Sequence, residues 1–394
     1  MNAPLSNTTS ARAVVCRELN GPLRVETVQI APPRTGEVSI RLAAVGVCHS
    51  DLSATNGTIA FPLPLVLGHE GAGIVSAVGD GVVGLAVGDH VITSFVSMCG
   101  RCRYCQSGRP QLCDQAAKAA WTLPDGSTRV SDAQGQPLNV FSGCGVLAEV
   151  ATLHADNVVK IARDVPLDRA ALIGCGVMTG VGAAVNTAKV QAGSTALVFG
   201  CGGVGLSAIQ GCRIAGAAMI VAVDTQDHKL TLARQFGATH TLNSSGEDNL
   251  VKTLRKLTDG GVDYAFDCVG LGSLAAMAFG ALRKGGVAVV VGVAPAKDTT
   301  TLRTAALTFE EKTLTGSYFG SARPRLDFPR LISLYQSGRL LLDELITRTY
   351  TLDEAQQAFD DMVAGRNARG VVVFDDVLRE ATAAGATATS ATGG

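Results

Sequence analysis

Four cysteines spaced Cys99-x2-Cys102-x2-Cys105-x7-Cys113 form the densest concentration of reactive side chains in the chain. Four thiolates at such spacing can close a tetrahedral shell around an ion and leave no position for water, which suits a structural zinc. An iron–sulfur cluster is the competing use. The ferredoxin-type run has three residues before its last cysteine and a proline after it, whereas here seven residues intervene and Asp114 follows. Four idle thiols in one solvated loop would oxidise, which weighs against the bland reading. The chain carries 11 cysteines in all. An odd, clustered set points to metal-holding thiolates in a reducing compartment rather than to a secreted disulfide framework.

A second pattern, Gly200-Cys-Gly202-Gly203-Val204-Gly205, follows an apolar run and opens a helical one. Its glycines permit a tight turn and bring a pyrophosphate against the free N–H groups of a helix N-terminus. Asp224 ends the next apolar run, where a carboxylate can accept from an adenosine ribose and repel a 2′-phosphate. A glycine-rich turn beside a surface aspartate is the plain alternative. A third set is dispersed: Cys48-His49-Ser50-Asp51, Gly68-His69-Glu70-Gly71 and Gly174-Cys175-Gly176. Alone, each cysteine reads as a small buried hydrophobe and His69 as a turn residue. Two cysteines and one histidine together are a donor set that leaves the fourth position of a catalytic zinc open.

The elements that must position these residues fall into two textures. Short β-like runs at 13–16, 37–45, 73–78, 89–94 and 148–153, separated by Gly, Pro and Asp turns, predict a mainly β domain over 1–180, with the cysteine lobe at about 95–115. From 181 to 324, apolar runs at 196–200, 219–224, 239–243, 263–267 and 287–292 alternate with helical periods. That alternation predicts an α/β, doubly wound parallel sheet covered by helices on both faces. Helices at 328–336 and 352–363 and a strand at 370–374 predict a return to the first domain over 325–380. The Ala/Thr/Gly-rich stretch 381–394 offers little to bury and reads as a disordered tail.

Composition bounds the partners. With 33 basic against 34 acidic side chains the net charge is -1, so nothing attracts nucleic acid or an anionic membrane. No run reaches the ~18 uninterrupted apolar residues of a membrane span, and no leader pattern is visible, so the expected location is cytoplasmic.

From about residue 12 to 375, the order of these motifs resembles the zinc-dependent alcohol dehydrogenases of the medium-chain dehydrogenase/reductase superfamily. Within it, the chain is similar to bacterial aryl and allylic alcohol dehydrogenases and to glutathione-dependent formaldehyde dehydrogenases. The resemblance implies a GroES-like catalytic domain with a small zinc lobe, a Rossmann NAD-binding domain, and two zinc ions per subunit. It implies Cys48, His69 and Cys175 as catalytic zinc ligands and Cys99, Cys102, Cys105 and Cys113 as structural ones. It makes Asp51 the partner that orients His69, puts Glu70 behind the metal, and gives Ser50 the alcohol proton. His49 stands where liver-type enzymes carry an arginine, and Ser53 where their relay ends in a histidine. Thr179, Lys229 and Arg369 match residues that hold the nicotinamide, the adenosine ribose and the pyrophosphate; Ile59, Phe95, Phe141 and Val293 match the substrate pocket, Val293 also touching cofactor. The segment 116–142 resembles the loop of the dimeric forms, so a homodimer is expected. The implied function is oxidation of a primary aliphatic, allylic or benzylic alcohol to its aldehyde with hydride transfer to NAD. The alternative is a formaldehyde dehydrogenase acting on a glutathione or mycothiol adduct.

Overall fold

Short alternating strands pair into two sheets in the first part of the chain. In the computed structural model, which describes residues 8–391, the smaller sheet orders Val130–Ser131, Arg24–Ile30, Thr9–Cys16, Leu65–Val66 and Asn139–Val140. Its buried side chains, among them Val15, Val28, Ile30, Val66 and Leu138, form one core cluster. The larger sheet orders Val158–Ile161, His90–Thr93, Gly71–Val78, Glu37–Gly46, Arg369–Val373 and Ile346–Tyr350, with Val150–His154 also paired to Glu37–Gly46. The strand Glu37–Gly46 is buried almost throughout, as its Val/Ile/Leu/Ala-rich sequence requires.

Register in this sheet gathers distant segments. Val45 pairs with Gly71 on one side, and Gly46 pairs with Val371 on the other. Gly46 N–H donates to the Glu70 carbonyl at 2.9 Å, and Val47 N–H to the Gly370 carbonyl at 3.0 Å. Three neighbouring strand ends therefore deliver Cys48, the His69-Glu70 pair and Arg369 to one end of the same sheet.

The second unit holds six parallel strands in the order His240–Asn243, Met219–Asp224, Thr195–Phe199, Val262–Asp267, Leu282–Val290, Thr313–Gly316. This is a doubly wound Rossmann order, and its core joins Leu197, Phe199, Val221 and Ala265 of the sheet to Leu254 and Phe279 of the helices. The compact units are the chain up to Cys175 with Arg323–Ser333 and everything from Leu342, and Gly176–Ala322 with Leu334–Leu341.

Three sequence expectations need adjustment. The division near 180 falls between Cys175 and Gly176. Leu334–Leu341, expected with the return segment, belongs to the parallel-sheet unit, where the Gln210 side chain donates to the Leu341 carbonyl at 3.1 Å and accepts from its N–H at 2.7 Å. The expected disorder from 381 is a correction: Asp375–Ala391 is one helix, with Val377 and Ala381 buried. Alanine needs little apolar area to favour a helix, and Asp375 and Asp376 in the first turn suit the dipole. Residues 392–394 of that expectation lie outside the described residues. Among the described residues, no single helix is long and apolar enough to cross a membrane.

Candidate metal and dinucleotide sites

The short helix His49–Thr55 begins directly after Cys48 and turns Asp51 inward, where it is 1% exposed. Asp51 Oδ1 accepts from Gly68 N–H at 2.8 Å, and Oδ2 lies 3.1 Å from His69 Nδ1, off the straight line of a full hydrogen bond. The other ring nitrogen, Nε2, is buried with no hydrogen-bond partner. One donor atom each from Cys48, His69, Glu70 and Cys175 lies within 4.8 Å of the others, all from buried residues. Of these, Glu70 is committed elsewhere, because its Oε2 accepts from Arg369 Nη2 in a buried ion pair.

Electrostatics favour a cation among these donors. The Cys48 thiol is driven down by its hydrogen bond with Cys175 and by His69. Burial pushes the Glu70 carboxyl up to about 8, even against Arg369. Burial lowers His69, yet the Asp51 carboxylate and Cys48 outweigh it and hold the imidazole above its ordinary value. A divalent ion would satisfy the orphaned Nε2 and both sulfurs at once. Two thiols and one imidazole, with Glu70 held back by Arg369, fit a zinc that keeps one position open.

The Cys99, Cys102, Cys105 and Cys113 sulfurs also lie within 4.8 Å of one another, and none forms a disulfide. Backbone N–H groups point back at them, Cys102 N–H to Cys99 Sγ at 3.4 Å and Cys105 N–H to Cys102 Sγ at 3.5 Å. The N–H groups of Cys105 and Asp114 hold the Cys102 thiol down at about 6. Four sulfurs at ~2.3 Å from a tetrahedral zinc stand about 3.8 Å apart, and Cys102 Sγ lies 4.0 Å from Cys113 Sγ. The lobe fits a closed zinc shell.

Around His69 the walls are aromatic. Phe95 and Phe141 meet the imidazole edge-on, with centroids at 5.5 and 5.1 Å. Phe61, which sequence reasoning missed, packs on Phe141 at 4.7 Å. Its only sequence signal is an aromatic residue at the head of Phe61-Pro-Leu-Pro64, just before the ligand segment. Ile59 is half-buried nearby in sequence. Cys48 Sγ donates to Ser50 Oγ at 3.8 Å, which puts the hydroxyl beside the donor cluster. His49 is exposed on the same helix, and Ser53, half-buried, gives its carbonyl to Ile59 N–H. The segment 116–142 is tied down by Arg129, whose Nη2 reaches Asp125 at 2.7 Å and Glu37 at 2.5 Å.

In the other unit, Gly200 has φ +85, and a Cβ at Gly205 would come within 1.7 Å of the Gly200 carbonyl oxygen. The turn then opens the helix Gly203–Ile214, with Gly202 at its N-cap and Val204 in its first turn. No side chain caps that helix, so its first N–H groups face outward, as a pyrophosphate requires. Asp224 Oδ2 accepts from Cys201 N–H at 2.8 Å, placing the carboxylate over the turn. Lys229 sits in the following helix, Asp227–Gln235. Thr179 and Val293 belong to this unit, the latter 59% exposed. Arg369, matched in sequence to the pyrophosphate, belongs to the first unit and is engaged by Glu70.

A glycine-turn parallel sheet in one unit and two thiol-rich donor clusters in the other are the parts expected of a metal-dependent dehydrogenase. The chain matches the alcohol dehydrogenase GroES-like domain over residues 34–163 and the zinc-binding dehydrogenase domain over residues 203–337. It is 39% identical over 373 residues to the S-(hydroxymethyl)glutathione dehydrogenase of Paracoccus denitrificans, covering 92% of this chain and 99% of that protein. It is 40% identical over 367 residues to the NDMA-dependent alcohol dehydrogenase of Amycolatopsis methanolica, covering 92% and 98%. The benzyl alcohol dehydrogenase structure from Acinetobacter calcoaceticus is similar with a TM-score of 0.85 at 34% identity, covering 93% of this chain and 99% of that one. The chain therefore belongs to the zinc-dependent alcohol dehydrogenases of the medium-chain dehydrogenase/reductase superfamily, oxidoreductases that use zinc and a nicotinamide cofactor.

Proposed function

We propose that this enzyme oxidises primary alcohols of benzylic or allylic type to aldehydes, reversibly, with NAD as hydride acceptor. The observation that carries this reading is the pair of rings Phe95 and Phe141 against His69, with Phe61 packed behind on Phe141. Aromatic walls beside one polar centre favour a flat, apolar substrate with a single hydroxyl.

Cys48, His69 and Cys175 would hold a zinc that would supply polarisation of the substrate oxygen, and NAD bound in the other unit would supply the hydride acceptor. Asp51 fixes the imidazole so that Nε2 faces the metal. Ser50 Oγ, next to Cys48, accepts the alcohol proton, and His49 at the exposed start of the same helix passes it to water. Glu70 stays paired with Arg369 and so does not fill the open position. Phe95 and Phe141 exclude water from the hydroxyl. Asp224 accepts from the adenosine ribose and disfavours a 2′-phosphate, which sets NAD over NADP.

A second reading, a thiol-adduct formaldehyde dehydrogenase, is favoured by relatives that carry that name and by His49. Its charged conjugate would need a cation near the substrate, and Arg369, the buried arginine of this site, is already engaged by Glu70. NADH formation measured with benzyl, cinnamyl and straight-chain alcohols, and with formaldehyde plus glutathione or mycothiol, separates the two. A kcat/KM for a thiol adduct well above that for benzyl alcohol would overturn the first reading. The proposed assembly is a homodimer, checked by light scattering.

A further inference from the structure

Four residues stand opposite one another across the larger sheet. Arg41 pairs with Ile74, Ile74 with His90, and His90 with Ile161. Side chains directly opposite in a sheet share a face, so one row carries a guanidinium, two isoleucines and an imidazole. His90 is 1% exposed, and its Nδ1 is buried with no hydrogen-bond partner. An unpaired polar atom at that depth needs a reason.

The helix Asp375–Ala391 packs on this face. It lies against Glu37–Gly46, Gly71–Val78 and the helix Leu167–Ala171. Just before it, Phe374 N–H donates to the Ala43 carbonyl at 2.9 Å, and Glu380 then pairs with Arg41 at the start of the row. Further along, a Cβ at Gly385 would lie 2.9 Å from the Arg163 carbonyl oxygen, just beyond Ile161. The helical rise from Phe374 to Gly385 is about 16 Å, and the strand spacings from Glu37–Gly46 across to Val158–Ile161 come to about 14 Å. The helix therefore crosses the whole row, on the side that its buried Val377, Ala381 and Gly385 mark. A glycine inside a helix is unfavourable by itself; here it lets the helix close on the Arg163 backbone.

The charges around His90 are committed. Glu380 holds Arg41, and Asp89 holds Lys160 at 2.8 Å and the Ala86 N–H at 2.9 Å. On the neighbouring helix Asp168 and Arg169 pair with each other, and Arg169 also with Asp343. Asp375, Asp376 and Arg379 are exposed. Burial, and then Arg163, hold the imidazole below its ordinary value against the pull of Asp89 and Glu380.

We propose that Asp375–Ala391 is an acid-released strap, docked across the strands that position Cys48 and His69 while His90 under it is neutral, and loosened when His90 takes a proton. Once the helix lifts, His90 returns to an ordinary value of about 6.5. Docking is therefore complete above that pH and weakens below it, by at most about tenfold per pH unit for a single proton.

Hydrogen exchange of the zinc-loaded enzyme, read by mass spectrometry between about pH 7.5 and 5.5 and divided by the unprotected rate at each pH, tests this. In the parent, protection over 375–391 should fall several-fold across that range while Met219–Asp224 of the other unit stays level. In His90→Gln, which cannot take the proton, protection of the helix should hold. Gly385→Ala separates docking from helix propensity: alanine would strengthen a free helix, but its Cβ has no room against the Arg163 carbonyl, so protection should drop already at neutral pH. A level parent profile, a His90→Gln profile that follows the parent, or higher protection in Gly385→Ala would each overturn the proposal. Should His90→Gln fail to fold, the other two profiles still decide it.

Discussion

Replacing Asp51 by asparagine tests whether His69 is a metal ligand held in place from behind. The carboxylate is 1% exposed, with Oδ1 receiving Gly68 N–H at 2.8 Å and Oδ2 3.1 Å from His69 Nδ1. An asparagine oxygen can still take the Gly68 bond, so the turn that leads into His69 survives. Its amide then donates toward Nδ1 and favours the tautomer with the proton on Nε2, the atom that must be bare to bind a metal. Substituting a residue that orients a metal-bound histidine typically costs about 10–100-fold in metal affinity, or roughly 1.4–2.7 kcal/mol at ~1.4 kcal/mol per decade. Zinc titration against a competing chelator should show catalytic-site affinity falling by that 10–100-fold range, while the four-cysteine site, which shares no residue with it, keeps parent affinity as an internal reference. Parent affinity at both sites, or parallel loss from both, would refute the argument.

Elemental analysis should find two zinc ions per subunit; Cys102→Ser should lower the melting temperature, whereas Cys175→Ser should abolish turnover with a smaller shift in melting. NAD should be strongly preferred over NADP, since Asp224 is followed by Thr225, Gln226 and Asp227 with no arginine among them, and Asp224→Gly should narrow the measured kcat/KM ratio. Ser50→Ala should lower kcat about 100-fold or more with zinc and NAD binding intact, and Ser53→Ala should be nearly silent; the reverse ranking would place the proton path elsewhere. The Tyr350 hydroxyl, with Arg366 and Gln357, holds the Asp361 carboxyl down at about 2. An unfolded aspartate titrates near ~3.9, so this contribution is complete above about pH 4 and is lost as the pH falls toward 2. Acid unfolding followed by circular dichroism should therefore lose part of its slope between those values in Asp361→Asn.

The metal donors were legible because thiol and imidazole chemistry is written in residue type, and the Cys99–Cys113 lobe is local enough for spacing to assemble it. The alternating apolar runs likewise announced the parallel sheet, since a strand buried on both faces has little choice of residue. Thr313–Gly316, the short edge strand, was missed because four residues carry too little period to read. The C-terminal helix was misread for a different reason. An Ala/Thr/Gly composition was judged by what it could bury, whereas Val377 and Ala381 need only one narrow face, and alanine supplies the rest through propensity.

The buried Glu70–Arg369 pair shows why residue type alone stops short of a site. Each residue is visible in the sequence, but they are 299 positions apart, and what joins them is register: Val45 opposite Gly71, and Gly46 opposite Val371. A Cβ on Gly46 would sit 2.3 Å from Glu70 Oε2 and 2.9 Å from Arg369 Nη2, so the pair exists only because the strand between them ends in glycine. That packing fixes which donors remain for the metal. On the proposed reading, with Glu70 claimed by Arg369, Cys48, His69 and Cys175 would be the residues that hold zinc, and a substrate oxygen would not have to compete with Glu70.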